Sequence, residues 1–299
     1  MILDHSLTRL CQHSFTMPRL LFLPPLLLTA ALAAPAPTLQ HVFVFVLENH
    51  SLKSVIGNPN LPTLNRLAST YGYAANYTGV VHPSLPNYVA MIAGDTMGMA
   101  GDNPEQRFSG DHLALQLETA GLSWRGYMQG LPKAGSTANY AGNYGKKHNP
   151  FMLSAETVGS EARRMNVVPY EQFGTDLASG NIPNFAFLVP DLCHDMHGAL
   201  KCLSRAALDR TGDAFIGTWT QKIMASGVWK SGAAIVITFD EGAVAIRQVG
   251  AGASPPLSSR RTAHAERSVR WPTTITRCCE RWKRASACRC CAVPKPRRP

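Results

Sequence analysis

The sequence predicts an α/β protein of three layers, with a mostly parallel central sheet and helices on both of its faces. Two observations predict it. Apolar runs of strand length alternate with stretches of helical period along the chain. Each apolar run also stops abruptly at acids, amides or histidines, as strands do where a parallel sheet opens onto a site.

The elements follow in chain order. Residues 1–16 read as an over-extended start, with Met17 as the true one. After it, "MPRLLFLPPLLLTAALAAPAP" carries Arg19, an apolar run, and small residues at Ala31 and Ala33. That is the pattern of a secretory leader over 17–33, too short to span a membrane. The expectation is a secreted or periplasmic chain with no stable membrane anchor. Residues 38–242 read as one domain. "HVFVFVL" is a buried strand ending at Leu47, "NFAFLV" a second ending near Val189, and "AAIVITF" a third ending at Phe239. Helices are expected over 61–71, 88–93, 112–120 and 206–224. Residues 126–150, rich in Gly, Asn and Lys, read as a loop excursion over one end of the sheet. Cys193 and Cys202 are the only cysteines between the leader and residue 243, and they suit a short-loop disulfide in an oxidising compartment.

The charge is uneven. The chain carries +10, but residues 243–299 hold 13 of its 29 Lys and Arg and only 2 of its 19 Asp and Glu. The first 242 residues are therefore near neutral, which argues against a nucleic-acid-binding body.

The strand endings bring Glu48 and Asn49, then Asp191, His194, Asp195 and His197, then Asp240 and Glu241. One such ending is an ordinary polar loop. Three at the carboxyl edge of one sheet converge, and carboxylates, an amide oxygen and imidazoles together suit a divalent metal ion. Ser84 stands between Pro83 and Pro86 in "HPSLPNYVAMIAGD". Proline fits the first turn of a helix, so Ser84 lies at a helix amino end, where free N–H groups hold phosphate. A nearby metal ion makes such a hydroxyl a useful nucleophile. The plainer reading of Ser84 is a helix cap, and that of His82 a packed loop histidine.

"VLENHS", "HPSLPNYVAMIAGD", "SWRGYMQGLP", "YGKKHNPF", "FLVPDLCHDMHG" and "ITFDEG" occur in this order. Together they resemble the bacterial phosphoesterase family, which holds acid phosphatases and phospholipase C-type enzymes within the alkaline-phosphatase-like superfamily. The resemblance covers residues 41–242. It implies that Ser84 takes the phosphoryl group covalently and that water later frees phosphate. It implies that Asn87 holds a phosphoryl oxygen, and that Glu48, Asn49, Asp240 and Glu241 bind metal. Asp191 and Asp195 count as further metal-site candidates. His194 and His197 fall where the family contacts phosphate or a second metal, and His148, with Lys147, is a further polar group of the pocket. The implied substrate is a small phosphate ester. The short body favours a phosphomonoesterase, with a phospholipase C-type diesterase as the alternative and an inactive phosphate- or metal-binding remnant as the third.

The family's chain continues with another strand and a helix whose histidine completes the metal site. Here residues 273–283 read "TTITRCCERWK". Shifting the codons by one base lets this stretch encode "HYHALLRTLE", with a leucine forced across Cys278 and Cys279 and a glutamate forced across Trp282 and Lys283. "SACRCC" likewise shifts to "GLPLL". The expectation is that 243–299 is a frameshifted tail and the break falls soon after Gly242. A zinc-binding tail lacks the spaced ligand pairs it needs, and a nucleic-acid tail lacks interleaved aromatics.

Overall fold

A computed structural model describes residues 39–242. The leader and the basic tail, with the expectations placed on them, lie outside these residues. The described chain runs β1 (His41–Leu47), α1 (Leu52–Val55), α2 (Pro62–Tyr71), α3 (Ser84–Ala93), α4 (Leu113–Thr119) and β2 (Trp124–Met128). It continues through β3 (Tyr140–Ala141), β4 (Tyr144–Gly145), α5 (Ala155–Val158), α6 (Glu161–Arg164), β5 (Val167–Pro169), α7 (Glu171–Ser179), β6 (Phe185–Val189), α8 (Arg205–Ala225), α9 (Gly227–Lys230) and β7 (Ala233–Phe239). Two short 3-10 turns, Lys146–His148 and Pro150–Leu153, follow the β3–β4 ladder.

The sheet order is β5-β2-β6-β1-β7, and every pairing is parallel. Its strands alternate between two cores. Val42 and Val46 of β1, and Phe185, Phe187 and Val189 of β6, pack with α3 and α4. Phe43, Phe45 and Leu47, with Ala186 and Leu188, pack with α2, α7 and α8. Both faces are thus covered, which explains why these strands are apolar at nearly every position.

The register positions the site. Leu47 lies opposite Phe239, so β1 and β7 end side by side. Asp240 N–H bonds the Leu47 carbonyl at 3.0 Å, and Glu48 N–H bonds the Asp195 carbonyl at 2.8 Å. Three strand endings expected to converge are therefore stitched together by backbone.

Two expectations are corrected. Residues 126–150 are not one excursion: Gly126, Tyr127 and Met128 belong to β2, inside the sheet between β5 and β6. The strand is short, and Arg125 and Gly126 interrupt its apolar pattern. Arg125 is accommodated by an ion pair with buried Asp176, which also accepts the Tyr127 hydroxyl at 2.8 Å. At Gly126 a Cβ would lie 3.0 Å from the Phe151 ring, so glycine marks a close approach. The second helix of the resemblance region starts at Ser84 rather than at residue 88, so the serine is the first residue of α3.

No side chain of its own caps α2; Asp213 of α8 does so instead, its two carboxylate oxygens accepting the N–H groups of Thr63 (2.9 Å) and Leu64 (2.8 Å). Two charge-assisted bonds to a helix amino end stabilise substantially. Asp213→Ala is expected to lower stability by about 2 kcal/mol, read as a shifted urea midpoint with unchanged slope. A change within a few tenths would mean that the cap contributes nothing.

Candidate active site

Ser84 is buried, and its hydroxyl donates to Glu48 Oε2 at 3.0 Å. Pro83 precedes the helix and Pro86 lies in its first turn, where the absent N–H costs no helical bond. The serine is therefore held by both chain and helix, at an α3 amino end where Pro86 has no N–H and the Leu85 N–H is taken by Asp102 Oδ1.

Glu48 is the centre of the cluster. Its Oε2 also accepts from Asn49 Nδ2 at 2.8 Å. Its Oε1 faces His148 Nε2 at 3.1 Å, yet neither atom makes a hydrogen bond. The other nitrogen of His148 lies 3.1 Å from Asp195 Oδ2. With Asp195 ionised, as metal binding requires, its carboxylate only accepts, so His148 Nδ1 would carry the proton and Nε2 would turn a lone pair toward Glu48. The Asp195–His148 pair is the arrangement that orients an imidazole toward a metal. Tyr88, one helical turn after Ser84, stacks its ring on His148 with centroids 4.8 Å apart.

Asp240 Oδ1 accepts the Asn49 N–H at 3.1 Å, while its buried Oδ2 has no partner. Asn49 itself takes a left-handed conformation, φ 54°. Asp195 Oδ1 accepts the His197 N–H at 2.7 Å. Glu48, His148 and His197 can each offer a ligand atom within 4.8 Å of the others.

The electrostatics agree with the geometry. Burial raises the Glu48 carboxyl well above its usual range, and the charges of Asp240 and Asp195 raise it further. Burial likewise raises Asp195 and Asp240. Glu241 is pushed up to about 7, by burial first and by Asp240 second. His148 is held well below the usual imidazole range by burial and by Lys147, and His197 is lowered mainly by burial. Acids that resist ionising beside imidazoles that resist protonation make a site in want of a cation. The unpartnered Glu48 Oε1, His148 Nε2 and Asp240 Oδ2 supply its oxygen and nitrogen donors, so the residues present fit a divalent metal.

The other expected site residues lie as follows. Asn87 is wholly buried and spends its amide on the preceding loop. It accepts the N–H groups of Val80 and Val81 at 2.8 and 3.1 Å and donates to the carbonyls of Val81 and Pro83. It also comes within 3.4 Å of Glu241 Oε2, which pairs with His82. Gly79 makes this approach possible, since a Cβ there would lie 2.9 Å from the Asp240 carbonyl. Asp191 and His194 pair with each other at 2.9 Å, and Asp191 also caps the turn that follows β6. The His194 ring packs on Phe215 of α8 rather than in the cluster. The Cys193–Cys202 disulfide forms as expected and closes this turn. A loop of that length is stabilised by about 2–3 kcal/mol, and the turn carries Asp195 and His197.

Three residues of the site escaped the sequence reading. Tyr88 had a signal, since a position four after Ser84 on a helix shares its face. His50 is locked between the Glu48 carbonyl (2.7 Å) and Asp209 (3.0 Å), a partner far along the chain that no motif marks. Asp102 lies in the loop after α3; its Oδ1 accepts the Leu85 N–H at 3.0 Å and its Oδ2 accepts Lys147 Nζ at 2.9 Å. No helix among the described residues is long and apolar enough to cross a membrane.

Comparison with known proteins adds to this geometry. A family model described as "Phosphoesterase family" matches residues 58–245. The phosphatidylinositol-3-phosphatase of Mycobacterium tuberculosis is 31% identical over 210 residues, which cover 70% of this chain and 66% of that protein. A probable acid phosphatase of Kluyveromyces lactis is 28% identical over 214 residues, 68% of this chain and 47% of that one. An acid phosphatase of Aspergillus fumigatus is 28% identical over 203 residues, 65% and 43%. The chain thus spans just under two thirds of the mycobacterial protein and less than half of each fungal one.

Proposed function

The chain belongs to the phosphoesterase family, and from that premise we propose that it is a secreted, metal-dependent phosphomonoesterase of the acid-phosphatase kind, working through a phosphoserine at Ser84. One observation carries the reading. A buried serine at a helix amino end donates its proton to a carboxylate whose other oxygen, like the histidine and aspartate atoms beside it, is left without a partner. Leader and disulfide support an extracytoplasmic location. The relatives, a phosphatidylinositol-3-phosphatase and acid phosphatases, support the monoester over the diester.

In the first step Ser84 Oγ attacks phosphorus. The Oγ–P bond forms, the bond to the ester oxygen breaks, the serine proton passes along its hydrogen bond to Glu48 Oε2, and the leaving oxygen takes a proton from solvent. The α3 amino end and Lys147 stabilise the transferring anion. In the second step a water oxygen bonds to phosphorus, the Ser84 Oγ–P bond breaks, and Glu48 Oε2 returns the proton to Oγ. Glu48, His148, His197 and Asp240 would hold the metal, which when bound supplies charge stabilisation and lowers the pKa of oxygen bound to it. The Asp195–His148 hydrogen bond keeps Nε2 free for that role.

The domain as written is incomplete in this reading. The family match stops at residue 245. Among the described residues β7 lies at the sheet edge, with Val236 exposed and Ile235 and Ile237 only partly buried, although its seven residues read as an interior strand. A groove of about 950 Å³ lined by Ile235, Ile237, Trp229, Leu67 and Tyr71 runs beside it to His82 and Glu241. An apolar edge of this kind, unpaired among the described residues, is what a missing neighbouring strand would leave.

The deciding experiment is phosphate release from an aryl phosphate, by the chain as written and by protein from the gene with its frame restored, each with and without chelator. Release by the restored form that chelation stops supports the reading. No release with any divalent cation would leave the inactive remnant as the better account.

A further inference from the structure

We propose that Asp102 is a built-in anion on the phosphoryl seat of Ser84, and that an ester enters by displacing it. The inference rests on the phosphoesterase reading and deepens it by naming the charge class of the substrate.

The seat is defined by its donors. Leu85 N–H directly follows the nucleophile at the open amino end of α3, and it is taken by Asp102 Oδ1 at 3.0 Å. Lys147 Nζ is the one ammonium within hydrogen-bond reach of the cluster's groups among the described residues, and it is taken by Asp102 Oδ2 at 2.9 Å. The same ammonium lies 3.1 Å from His197 Nε2, so the seat borders the candidate metal ligands. A helix N–H and a lysine are what an oxygen of a phosphoryl group on Ser84 would accept from. A carboxylate therefore makes here the bonds expected of the substrate. The unpartnered atoms of Glu48 and His148 belong to the cluster that Ser84 and His197 share.

Asp102 is built to leave. Its side chain is 35% exposed, whereas that of Lys147 is 11% exposed, so the carboxylate closes the seat from the solvent side. Its backbone lies in the loop between α3 and α4, directly after Gly101, which has φ 72°, with Gly98 at φ 73° just before. Such positions swing with little steric cost. The loop carries no regular element from the end of α3 to the start of α4.

Charge then sets selectivity. A monoester dianion brings more negative charge to Lys147 and the helix end than the carboxylate it replaces. A diester monoanion brings no more, and must also break the existing pair. The same device thus favours phosphomonoesters and free phosphate over diesters, and it keeps Lys147 paired between turnovers.

The test is calorimetric titration of inorganic phosphate, and separately of dimethyl phosphate, into the protein and its Asp102→Asn, Asp102→Ala and Lys147→Met variants. Thermal melts confirm that each is folded. Both Asp102 variants are expected to bind phosphate about tenfold more tightly and to narrow the preference for phosphate over dimethyl phosphate. Lys147→Met is expected to weaken phosphate. Unchanged or weaker phosphate binding in both Asp102 variants overturns the proposal, since Asp102 would then be a brace that holds Lys147 in place. Phosphate binding by none of the four proteins would instead remove the proposed phosphomonoester hydrolysis on which the inference stands.

Discussion

Ser84→Ala is expected to lower phosphate-ester hydrolysis by at least about a thousandfold while leaving the fold intact. The serine is the first residue of α3 and buried, and its hydroxyl makes one described bond, to Glu48 Oε2. Removing it takes away the atom that forms the new bond to phosphorus. No neighbour replaces it, because Asn87 is spent on loop backbone. The structural loss is small, since alanine suits a helix and Leu85 N–H keeps its partner in Asp102. Two readings check it together. Acid-quenched enzyme should carry phosphoserine in the wild type and none in the variant, and the melting temperature should move little. Activity within a few-fold of wild type would remove Ser84 from the chemistry and return it to the role of a cap.

The second large effect has opposite signs on stability and activity. Glu48→Gln is expected to abolish tight divalent-metal binding and hydrolysis, yet to raise the stability of the metal-free protein. Glu48 is fully buried, and its charged form is opposed by burial and by Asp240 and Asp195. A neutral amide of the same shape removes that opposition. It also loses the charge that would draw a cation. Metal content by elemental analysis and unfolding midpoints with and without chelator check both halves. Equal metal content in variant and wild type would refute the assignment of Glu48 as a ligand.

The same electrostatics set a pH dependence for the metal-free protein. The carboxyls of Glu48, Asp195 and Glu241 have native values above their unfolded ones, so near neutrality the native state binds more protons. Their contribution to stability is present at low pH and is lost as pH rises through the native values. His148 and His197, lowered in the native state, act in the opposite sense, but only below their ordinary value of 6.5. Above about 6.5 the carboxyls act alone. Metal-free stability should therefore fall as pH rises from there through the Glu241 value of about 7. Saturating metal should reverse the slope, since ligands must be deprotonated to bind. A rising metal-free curve in that interval would count against the buried acidic cluster.

The sequence by itself determined the layers, the strand ends and most of the cast. β1, β6 and β7 were legible because strands covered on both faces are apolar throughout, and their ends at Leu47, Val189 and Phe239 are visible as abrupt changes of chemistry. Ser84 was legible because two prolines frame it, and the disulfide because Cys193 and Cys202 stand alone in their region of the chain. β2 was not legible, because Arg125 and Gly126 make sense only beside Asp176 and Phe151, which come from elsewhere. Tertiary structure alone decided how the polar residues divide. Glu48, Asp195, Asp240, His148 and His197 gather around Ser84, while Asp191 and His194 satisfy each other beside α8 and Asn87 turns to its own loop. It also brought in Asp102 and His50. Sequence records which chemical groups are present and where a strand ends, since those depend on local burial and period. Which lone pair meets which proton depends on the orientation of side chains from distant segments, and that exists only once the chain has packed.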